Sequence, residues 1–244
     1  MNVRNDRRAE SAAEQLMNAA NVLILLVIAL IYVATGTRIG EDAMAALSEG
    51  AVYRGAPNGA VALECVVNWN AESLPDMLDT LKEEDVQITF FVSGRWARSH
   101  AALLTRMCED GHEIGTNGFS PLLDGDLSVI TQDVMASNGV IRQITGSAPR
   151  LYYPGFRKRE VSVRAAERLG MTAVAASVDL QCARYDAEKI AARVSEHAFD
   201  GSILTIQPTA EGAAALKLVL DGIRRMGCEP ATVGDVLEGV RTVW

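Results

Sequence analysis

The residues best placed to do chemistry follow an apolar stretch in the first third of the chain. Residues 60–67 read A-V-A-L-E-C-V-V, which predicts a buried strand, and Asn68, Trp69 and Asn70 come directly after it. A helical pattern opens at Ser73, and a polar tip between a strand and a helix is where α/β proteins usually carry their site. This tip offers two amides and an indole, but it has no carboxylate, histidine or lysine.

The nearest ionisable side chains belong to the strand itself. Glu64 could be a general base, but a carboxylate in the middle of a strand is more commonly paired with a lysine or arginine. Cys65 has no identifiable histidine partner, which favours a buried thiol over a nucleophile. Together with Cys108, Cys182 and Cys228 it forms no C-x-x-C pair, and four buried thiols are favoured over two disulfides.

The elements that position these residues repeat along the chain. Short apolar runs alternate with amphipathic stretches, which is typical of parallel β/α units. Further strands are predicted at residues 87–92, 112–116, 150–152, 172–175, 202–206 and 229–231. Helices are predicted after Ser73, around residues 103–107, from a cap at Ser128 to Gly146, and at residues 160–169, 186–197, 210–226 and 232–240. About seven units could close a barrel, and an open doubly wound sheet fits the local pattern equally well.

Composition limits the class of protein and of partner. With 244 residues, 49% hydrophobic and 22% charged, the chain can build one large domain with a full core and a short N-terminal appendage. A formal net charge of -8 argues against nucleic acid as a partner of the main domain.

The N-terminal appendage predicts export. Residues 22–34 are an uninterrupted apolar run, and small residues extend it to 19–36, close to the lower limit for a membrane span. Three arginines precede the run and only Arg38 follows closely, so the N-terminus is expected in the cytoplasm. We therefore expect a cytoplasmic tail at 1–18, a signal anchor at 19–36, a linker at 37–59 and an extracytoplasmic domain at 60–244. A signal peptide cleaved near Ala34 or Gly36 is the alternative.

Four separated segments carry a family resemblance. They read T-F-F-V-S-G at 89–94, G-H-E-I-G at 111–115, S-V-D at 177–179 and G-S-I-L at 201–204. In this order they resemble the polysaccharide deacetylase family, the NodB-homology domain of carbohydrate esterase family four, over about residues 60–240. The resemblance implies an α/β fold, a distorted seven-stranded β/α barrel, and a family whose activity is metal-dependent carbohydrate deacetylation.

The same resemblance shows that the family's metal ligands are replaced. The T-F-D-D-G motif supplies a general base and a metal ligand through its two aspartates, and these positions hold Val66 and Val67. The H-S/T-x-x-H motif supplies two imidazoles, and these positions hold Asn117 and Pro121. Hard divalent ions require oxygen or imidazole ligands, so we expect no metal and no cofactor.

The family's remaining acid–base groups are replaced too. The R-P-P-Y motif, whose arginine supports the base, reads Y-P-G-F from Tyr153 to Phe156. The L-x-H motif, whose histidine is the acid, reads T-I-Q and ends at Gln207. Hydrolysis of an N-acetyl group needs an activated water, a base and a proton donor, so we expect no catalytic residue. His112, within G-H-E-I-G, is expected to form structural hydrogen bonds.

The residues left at the expected mouth of the barrel are amides, aromatic rings and one carboxylate. We predict that substrate binds to Asn68, Trp69, Asn117, Tyr153, Phe156, Asp179 and Gln207. Amides suit the hydroxyls of sugars, and aromatic faces suit their C–H groups.

These patterns predict an inactive, membrane-anchored module of the cell envelope. Its partner would be a glycan of the peptidoglycan or chitin type, or another envelope protein. A divergent carbohydrate N-deacetylase stays open as the alternative, with relocated groups such as Glu64, Asp179 or Cys182.

Overall fold

The structure is a computed structural model that describes residues 50–68, 72–155, 157 and 159–239. These residues all lie within one compact unit of the chain. The predicted anchor, residues 19–36, lies outside them, as do Trp69 and Phe156. Within the described ranges no helix is long and apolar enough to cross a bilayer.

A parallel sheet organises the described residues. Its strands are β1 (Ala60–Val67), β2 (Thr89–Val92), β3 (Glu113–Thr116), β4 (Leu151–Tyr152), β5 (Thr172–Ala173), β6 (Val178–Asp179), β7 (Ile203–Ile206) and β8 (Glu229–Ala231). Their order is β5-β4-β3-β2-β1-β7-β6, and β8 pairs with the first residues of β1. The sheet curls into a half-barrel, which confirms the α/β class and the parallel arrangement expected from the sequence.

Helices connect the strands and cover the outside of the sheet. They are α1 (Leu74–Glu83), α2 (Gly94–Ser99), α3 (Ala101–Glu109), α4 (Leu127–Thr145), α5 (Arg159–Arg168), α6 (Ala187–His197), α7 (Ala210–Arg225) and α8 (Val233–Glu238). The largest apolar cluster lies between the sheet and this layer, and it includes buried residues of β1, α1 and α7. Buried residues of α2, α3, α4 and α6 belong to it as well, so these helices bury an apolar stripe against the strands. Val233 and Val236 of α8 instead pack inside the half-barrel, in a cluster with Phe91 of β2.

Alternation along β1 decides which side chains enter the half-barrel. Leu63, Cys65 and Val67 belong to the outer cluster that contacts the helices, whereas Ala62 belongs to an inner cluster with Phe91 of β2 and Ile203 of β7. Successive side chains of a strand point to opposite faces. Glu64 therefore lies on the inner face, and it is fully buried.

A short segment before β1 forms hydrogen bonds near two strands that do not pair with each other in the sheet, β5 and β7. The amide of Val52 donates to the carbonyl of Ala173 at 2.8 Å, and the amide of Ala175 donates back to Val52 at 2.9 Å. Three residues later, the amide of Gly55 donates to the carbonyl of Gly201, just before β7, at 2.9 Å. Residues 52–55 thus connect β5 to the beginning of β7.

Most predicted elements are present, with shifted ends and two omissions. The cap predicted at Ser128 is wrong, because the carboxylate of Asp126 accepts from the amides of Ser128 and Val129 and begins α4. Sequence reasoning missed α2, which begins where the hydroxyl of Ser93 accepts from the amide of Trp96 at 3.1 Å. It also missed β6. Elements of six and two residues are too short to show a periodicity of their own.

Candidate functional site

The predicted binding residues that the structure describes lie at one end of the sheet. Asn68, Asn117, Tyr153 and Gln207 each come directly after a strand, namely β1, β3, β4 and β7, and Asp179 ends β6. Parallel strands have their carboxyl ends on the same edge, which is where α/β proteins bind ligands. We call this edge, with the side chains of these five residues, the mouth.

An amide pair forms one side of the mouth. Nδ2 of Asn117 donates to Oδ1 of Asn68 at 2.7 Å, and it lies 3.4 Å from the carbonyl oxygen of Phe91. Asn117 is only 3% exposed, and its Oδ1 has no hydrogen-bond partner in the part of the chain that the structure describes. This buried acceptor is free to receive a hydrogen bond from a ligand or a water molecule.

A carboxylate and an amide form the opposite side. Oδ1 of Asp179 accepts from the amide of Gln181 at 2.8 Å and lies 3.5 Å from Nε2 of Gln207. The first contact is a local turn, as expected of an aspartate that ends a strand. The side chain of Asp179 nevertheless stays exposed and reaches the residue that stands at the family's acid position.

An aromatic ring fills the interior between these two sides. The ring of Tyr153 packs against Phe91 with centroids 5.6 Å apart, and its amide donates to the carbonyl of Thr116 at 2.8 Å. Burial raises the pKa of Tyr153, and the carboxyls of Glu64 and Asp179 add to the rise, while Arg159 opposes it. The phenol therefore keeps its proton and can donate or accept a hydrogen bond.

A buried carboxyl lies below the mouth, and its partner differs from the predicted one. Oγ1 of Thr205 donates to Oε1 of Glu64 at 2.6 Å, so the expectation of a lysine or arginine partner is wrong. The register explains this result, since Glu64 of β1 stands opposite Thr205 of β7. Burial raises the pKa of Glu64 to about 8; the Thr205 hydrogen bond opposes this rise, and the charge of Asp179 adds to it. Glu64 therefore holds a proton at neutral pH.

The cysteines do not supply a nucleophile. All four are free; Cys65, Cys182 and Cys228 are buried, and Cys108 is half-buried. Burial raises the pKa of Cys182 to about 11 and that of Cys65 well above its usual range. A thiol that stays protonated is a poor nucleophile, so Cys182 does not suit the role of a relocated catalytic group.

His112 takes the structural role that its sequence context predicts. Its Nδ1 accepts from the amide of Ile88 at 3.2 Å, and its ring packs edge-on against Phe90 with centroids 5.1 Å apart. Burial lowers the pKa of His112 to about 4, so the ring is neutral and holds β2 against β3.

The loop after β3 is fixed by an ion pair that sequence reasoning missed. Nη2 of Arg157 donates to Oδ2 of Asp133 at 2.6 Å, and both side chains are almost fully buried. The same guanidinium donates to the carbonyls of Asn117, Ser120 and Leu123. The carboxylate of Asp133 accepts from the amides of Phe119 and Ser120. The sequence offers no pattern that would pair Arg157 with Asp133, because the two residues are far apart in the chain and neither lies in a segment that resembles the family.

The side chains at the family's metal positions do not fit a divalent ion. Val67 is buried in the outer cluster, and Asn117 uses its amide nitrogen to bond Asn68. Proline, at position 121, offers no side-chain donor atom. In the described ranges no three His, Cys, Asp or Glu side chains are grouped so as to hold a metal ion. Ions of this kind need several oxygen or imidazole ligands that converge.

Comparison with known proteins supports the resemblance found in the sequence. Residues 64–174 match the family model of polysaccharide deacetylases. The chain is 28% identical over 200 residues to the uncharacterized protein YlxY of Bacillus subtilis, which covers 78% of this chain and 61% of that protein. It is 26% identical over 166 residues to the peptidoglycan-N-acetylglucosamine deacetylase PgdA of Listeria monocytogenes, covering 66% of this chain and 35% of that enzyme. The matches therefore span less than two thirds of either relative.

A solved structure is similar over most of the chain. Wild-type BA3943 of Bacillus anthracis, a CE4 family pseudoenzyme, superposes with a TM-score of 0.73 at 26% identity, covering 78% of this chain and 69% of that one. A mutant of BA3943 is a pseudoenzyme with restored enzymatic activity.

Proposed function

Since this chain carries a polysaccharide deacetylase domain, we propose that it binds a cell-envelope glycan at the mouth of the half-barrel without hydrolysing it through a metal. The observation that carries this proposal is the Asn68–Asn117 amide pair. A side chain at a metal-ligand position of the family is bonded to a neighbouring amide instead, at 2.7 Å.

The groups at the mouth suit sugar binding better than acyl transfer. Asn117 keeps one buried, unused acceptor among the described residues, and Tyr153 and Gln207 add a phenol and an amide. Amides and phenols exchange hydrogen bonds with hydroxyls, whereas hydrolysis requires an activated water and groups that transfer protons. BA3943 shows that one protein of this fold is a pseudoenzyme, and that activity returned in a mutant. For this chain, we infer likewise that replaced side chains, and not a lost fold, remove the metal chemistry.

Metal analysis and glycan titration of the purified chain test the proposal together. We expect binding of N-acetylated chito-oligosaccharides or peptidoglycan fragments by calorimetry, less than stoichiometric Zn, Co or Mn, and no release of acetate. Asn117→Ala should weaken glycan binding by about tenfold, because it removes the buried acceptor and the bond to Asn68. Stoichiometric metal with turnover in the wild type, or no binding of either glycan, would overturn the proposal.

A rebuilt variant provides the positive control. Val66→Asp, Val67→Asp, Asn117→His and Pro121→His together restore the carboxylates and imidazoles of the family pattern. We expect this variant to take up a divalent ion that the wild type does not retain, since the oxygen and imidazole donors of the family pattern are then all present. A rebuilt chain that folds but binds no metal would show that the backbone also differs from the family, either at the end of β1, where Val67 packs in the outer cluster, or in the loop after β3.

We further propose that residues 19–36 anchor the chain in a membrane with the half-barrel outside the cytoplasm. The apolar run and the preceding arginines support this placement. Protease added to intact cells should cleave the exported domain, and carbonate washing should leave the chain in the membrane fraction. Recovery of the domain in the medium would instead indicate a cleaved signal peptide.

A second candidate function, N-deacetylation by relocated groups, is favoured by Glu64 alone. A carboxyl with a pKa of about 8 can exchange a proton at neutral pH. Glu64→Gln would then abolish acetate release while the fold persists. Absence of acetate release from the wild type removes this candidate.

A further inference from the structure

A cavity opens at the end of the half-barrel opposite the mouth. Its wall includes Glu113, Leu151 and Thr172, which are the first residues of β3, β4 and β5, together with Leu237 and Glu238 of α8. Parallel strands begin at one edge of a sheet and end at the other, so this cavity and the mouth lie on opposite edges. We call this cavity the lower pocket.

The size and the lining of the lower pocket suit a small molecule with an apolar part. Its volume is about 340 Å³, near the lower end of the range of about 300 to 1,000 Å³ for ligand pockets. Ile114, Leu151 and Leu237 give it an apolar surface, and Ile114 and Leu237 are only half-buried. A ligand that covers half-buried apolar side chains gains free energy from their burial. The pocket therefore favours a compact ligand with an aliphatic group.

Glu113 offers one open carboxylate oxygen beside the lower pocket. Its Oε2 accepts from Oγ1 of Thr89 at 2.6 Å and from the amide of Gly234 at 3.0 Å. Its Oε1 accepts no hydrogen bond from the described residues, and this oxygen keeps accessible surface. Gly234 also lines the pocket, and a Cβ at this position would lie 2.5 Å from Oε1. One oxygen thus holds the carboxyl in place, while the other is free to receive a donor.

The charged groups of the lower pocket have no partners of opposite sign. In the described ranges neither Glu113 nor Glu238 forms an ion pair, and nor does Arg150, which lines the same pocket. Burial raises the pKa of Glu113, and the carboxyls of Asp235 and Glu238 add to the rise; two hydrogen bonds oppose it, but no cation does. The pocket thus combines two unpaired carboxyls with one unpaired guanidinium.

We propose that the lower pocket binds a small zwitterion, an α-amino acid or dipeptide with an apolar side chain. The ammonium group of the ligand donates to Oε1 of Glu113 and to the carboxylate of Glu238. Its carboxylate accepts from the guanidinium of Arg150, and its side chain covers Ile114 and Leu237. Hydrogen bonds between charged partners are about twice as strong as neutral ones, so both ends of the ligand contribute to affinity.

Other classes of ligand match the lower pocket less well. In the part of the chain that the structure describes, no three His, Cys, Asp or Glu side chains are grouped so as to hold a metal ion. A simple anion could pair with Arg150 but would leave both carboxyls without a counter-charge. A neutral sugar would leave all three charges unpaired, so this site is separate from glycan binding at the mouth.

Calorimetry of the full chain with leucyl-leucine and two blocked forms tests the proposal. N-acetyl-leucyl-leucine lacks the ammonium group, and leucyl-leucine amide lacks the carboxylate. We expect the unblocked dipeptide to bind at least about tenfold more tightly than either blocked form. Leucine is titrated beside it, and the tighter of these two binders assigns the pocket to a free amino acid or to a dipeptide. Equal binding of the blocked and unblocked forms, or no binding of leucine and leucyl-leucine, would overturn the proposal.

Substitutions at exposed positions separate the two ends of the ligand. Arg150→Gln should abolish the preference over the amide and keep the preference over the acetylated form. Glu238→Gln should weaken the preference over the acetylated form and keep the one over the amide. Both side chains are exposed, so we expect both variants to fold.

A matched control and a competitor separate the lower pocket from general attraction and from the mouth. Arg168→Gln removes an exposed arginine at the end of α5, outside the pocket, and should change neither preference. The same loss in Arg168→Gln as in Arg150→Gln would overturn the site. A chito-oligosaccharide should not displace the dipeptide; displacement would overturn a separate lower pocket and leave glycan binding intact.

Discussion

At the scale of single residues, buried Glu64 makes the stability of the fold depend on pH. Burial raises its folded-state pKa from 4.5 to about 8, so the unfolded chain releases its proton at a lower pH than the folded chain does. Between these values the folded state binds more protons, and its stability falls as pH rises, by up to about 1.4 kcal/mol for each pH unit. Below about pH 4.5 both states are protonated, and Glu64 has no effect.

His112 has the opposite dependence. Burial lowers its folded-state pKa from 6.5 to about 4, so the unfolded chain binds the proton first and stability falls as pH drops through this range. The two slopes oppose each other where the ranges overlap, from about pH 4.5 to about pH 6.5. With these two groups alone, the free energy of unfolding would be nearly constant between about pH 4.5 and about pH 6.5 and would fall at lower and at higher pH.

Replacing Glu64 with glutamine should remove the alkaline decline. Glutamine keeps an acceptor for the Thr205 hydroxyl but cannot ionise, so the variant should gain stability over the wild type as pH rises from about 5 to about 8. The acid decline caused by His112 should remain in both proteins. Urea unfolding at several pH values measures the difference, and a difference that does not change with pH would contradict the raised pKa of Glu64.

At the scale of elements, the loop after β3 depends on the Arg157–Asp133 pair. Its backbone has few partners in the sheet, and the two charged side chains satisfy the amides and carbonyls that the loop exposes. Gly118, within the loop, adopts a φ of +89°, and a Cβ there would meet both charged groups. This pair therefore fixes Asn117 at the mouth.

Breaking the buried Arg157–Asp133 pair should lower the free energy of unfolding much more than breaking an exposed ion pair does. Arg157→Ala or Asp133→Ala each leaves a buried charge without a partner, at a cost of about 3 to 5 kcal/mol. The double variant should cost less than the sum of the two single ones. Urea unfolding of all four proteins gives the coupling. Glu160→Ala, which breaks an exposed pair with Arg164 on α5, serves as the control and should change stability little.

The sequence predicts elements well and the partners of buried charges poorly. Short apolar runs locate β1 and β7, and helical periodicity locates the long helices, because these patterns are local. Thr205 as partner of Glu64 depends on the register of strands 141 positions apart, which no local pattern contains. Arg157 and Asp133 are 24 positions apart and face each other only after α4 packs on the sheet. The mouth residues were predictable because each lies at or just after the end of a strand.

At the scale of the whole molecule, the half-barrel uses chain that precedes its first strand. Val52 bonds at β5 and Gly55 bonds just before β7, so residues 52–55 join two strands that the sheet itself does not pair. Ala51 is 5% exposed and belongs to the apolar cluster that includes Tyr152. The predicted linker at 37–59 stays a prediction for its first part, but its last residues contribute backbone hydrogen bonds to the fold.

Two truncated chains test this contribution. A fragment that begins at residue 50 keeps the three backbone hydrogen bonds of Val52 and Gly55. A fragment that begins at residue 57 loses these bonds together with the burial of Ala51, but it keeps the hydrogen bonds of Asn58 and Gly59. Net worth of about 1 kcal/mol for each bond predicts a melting temperature lower by roughly 5 to 10 °C in the shorter fragment. Calorimetry of both fragments measures it. Equal melting temperatures would show that the hydrogen bonds of residues 52–55 to β5 and to the start of β7 add no measurable stability to the half-barrel.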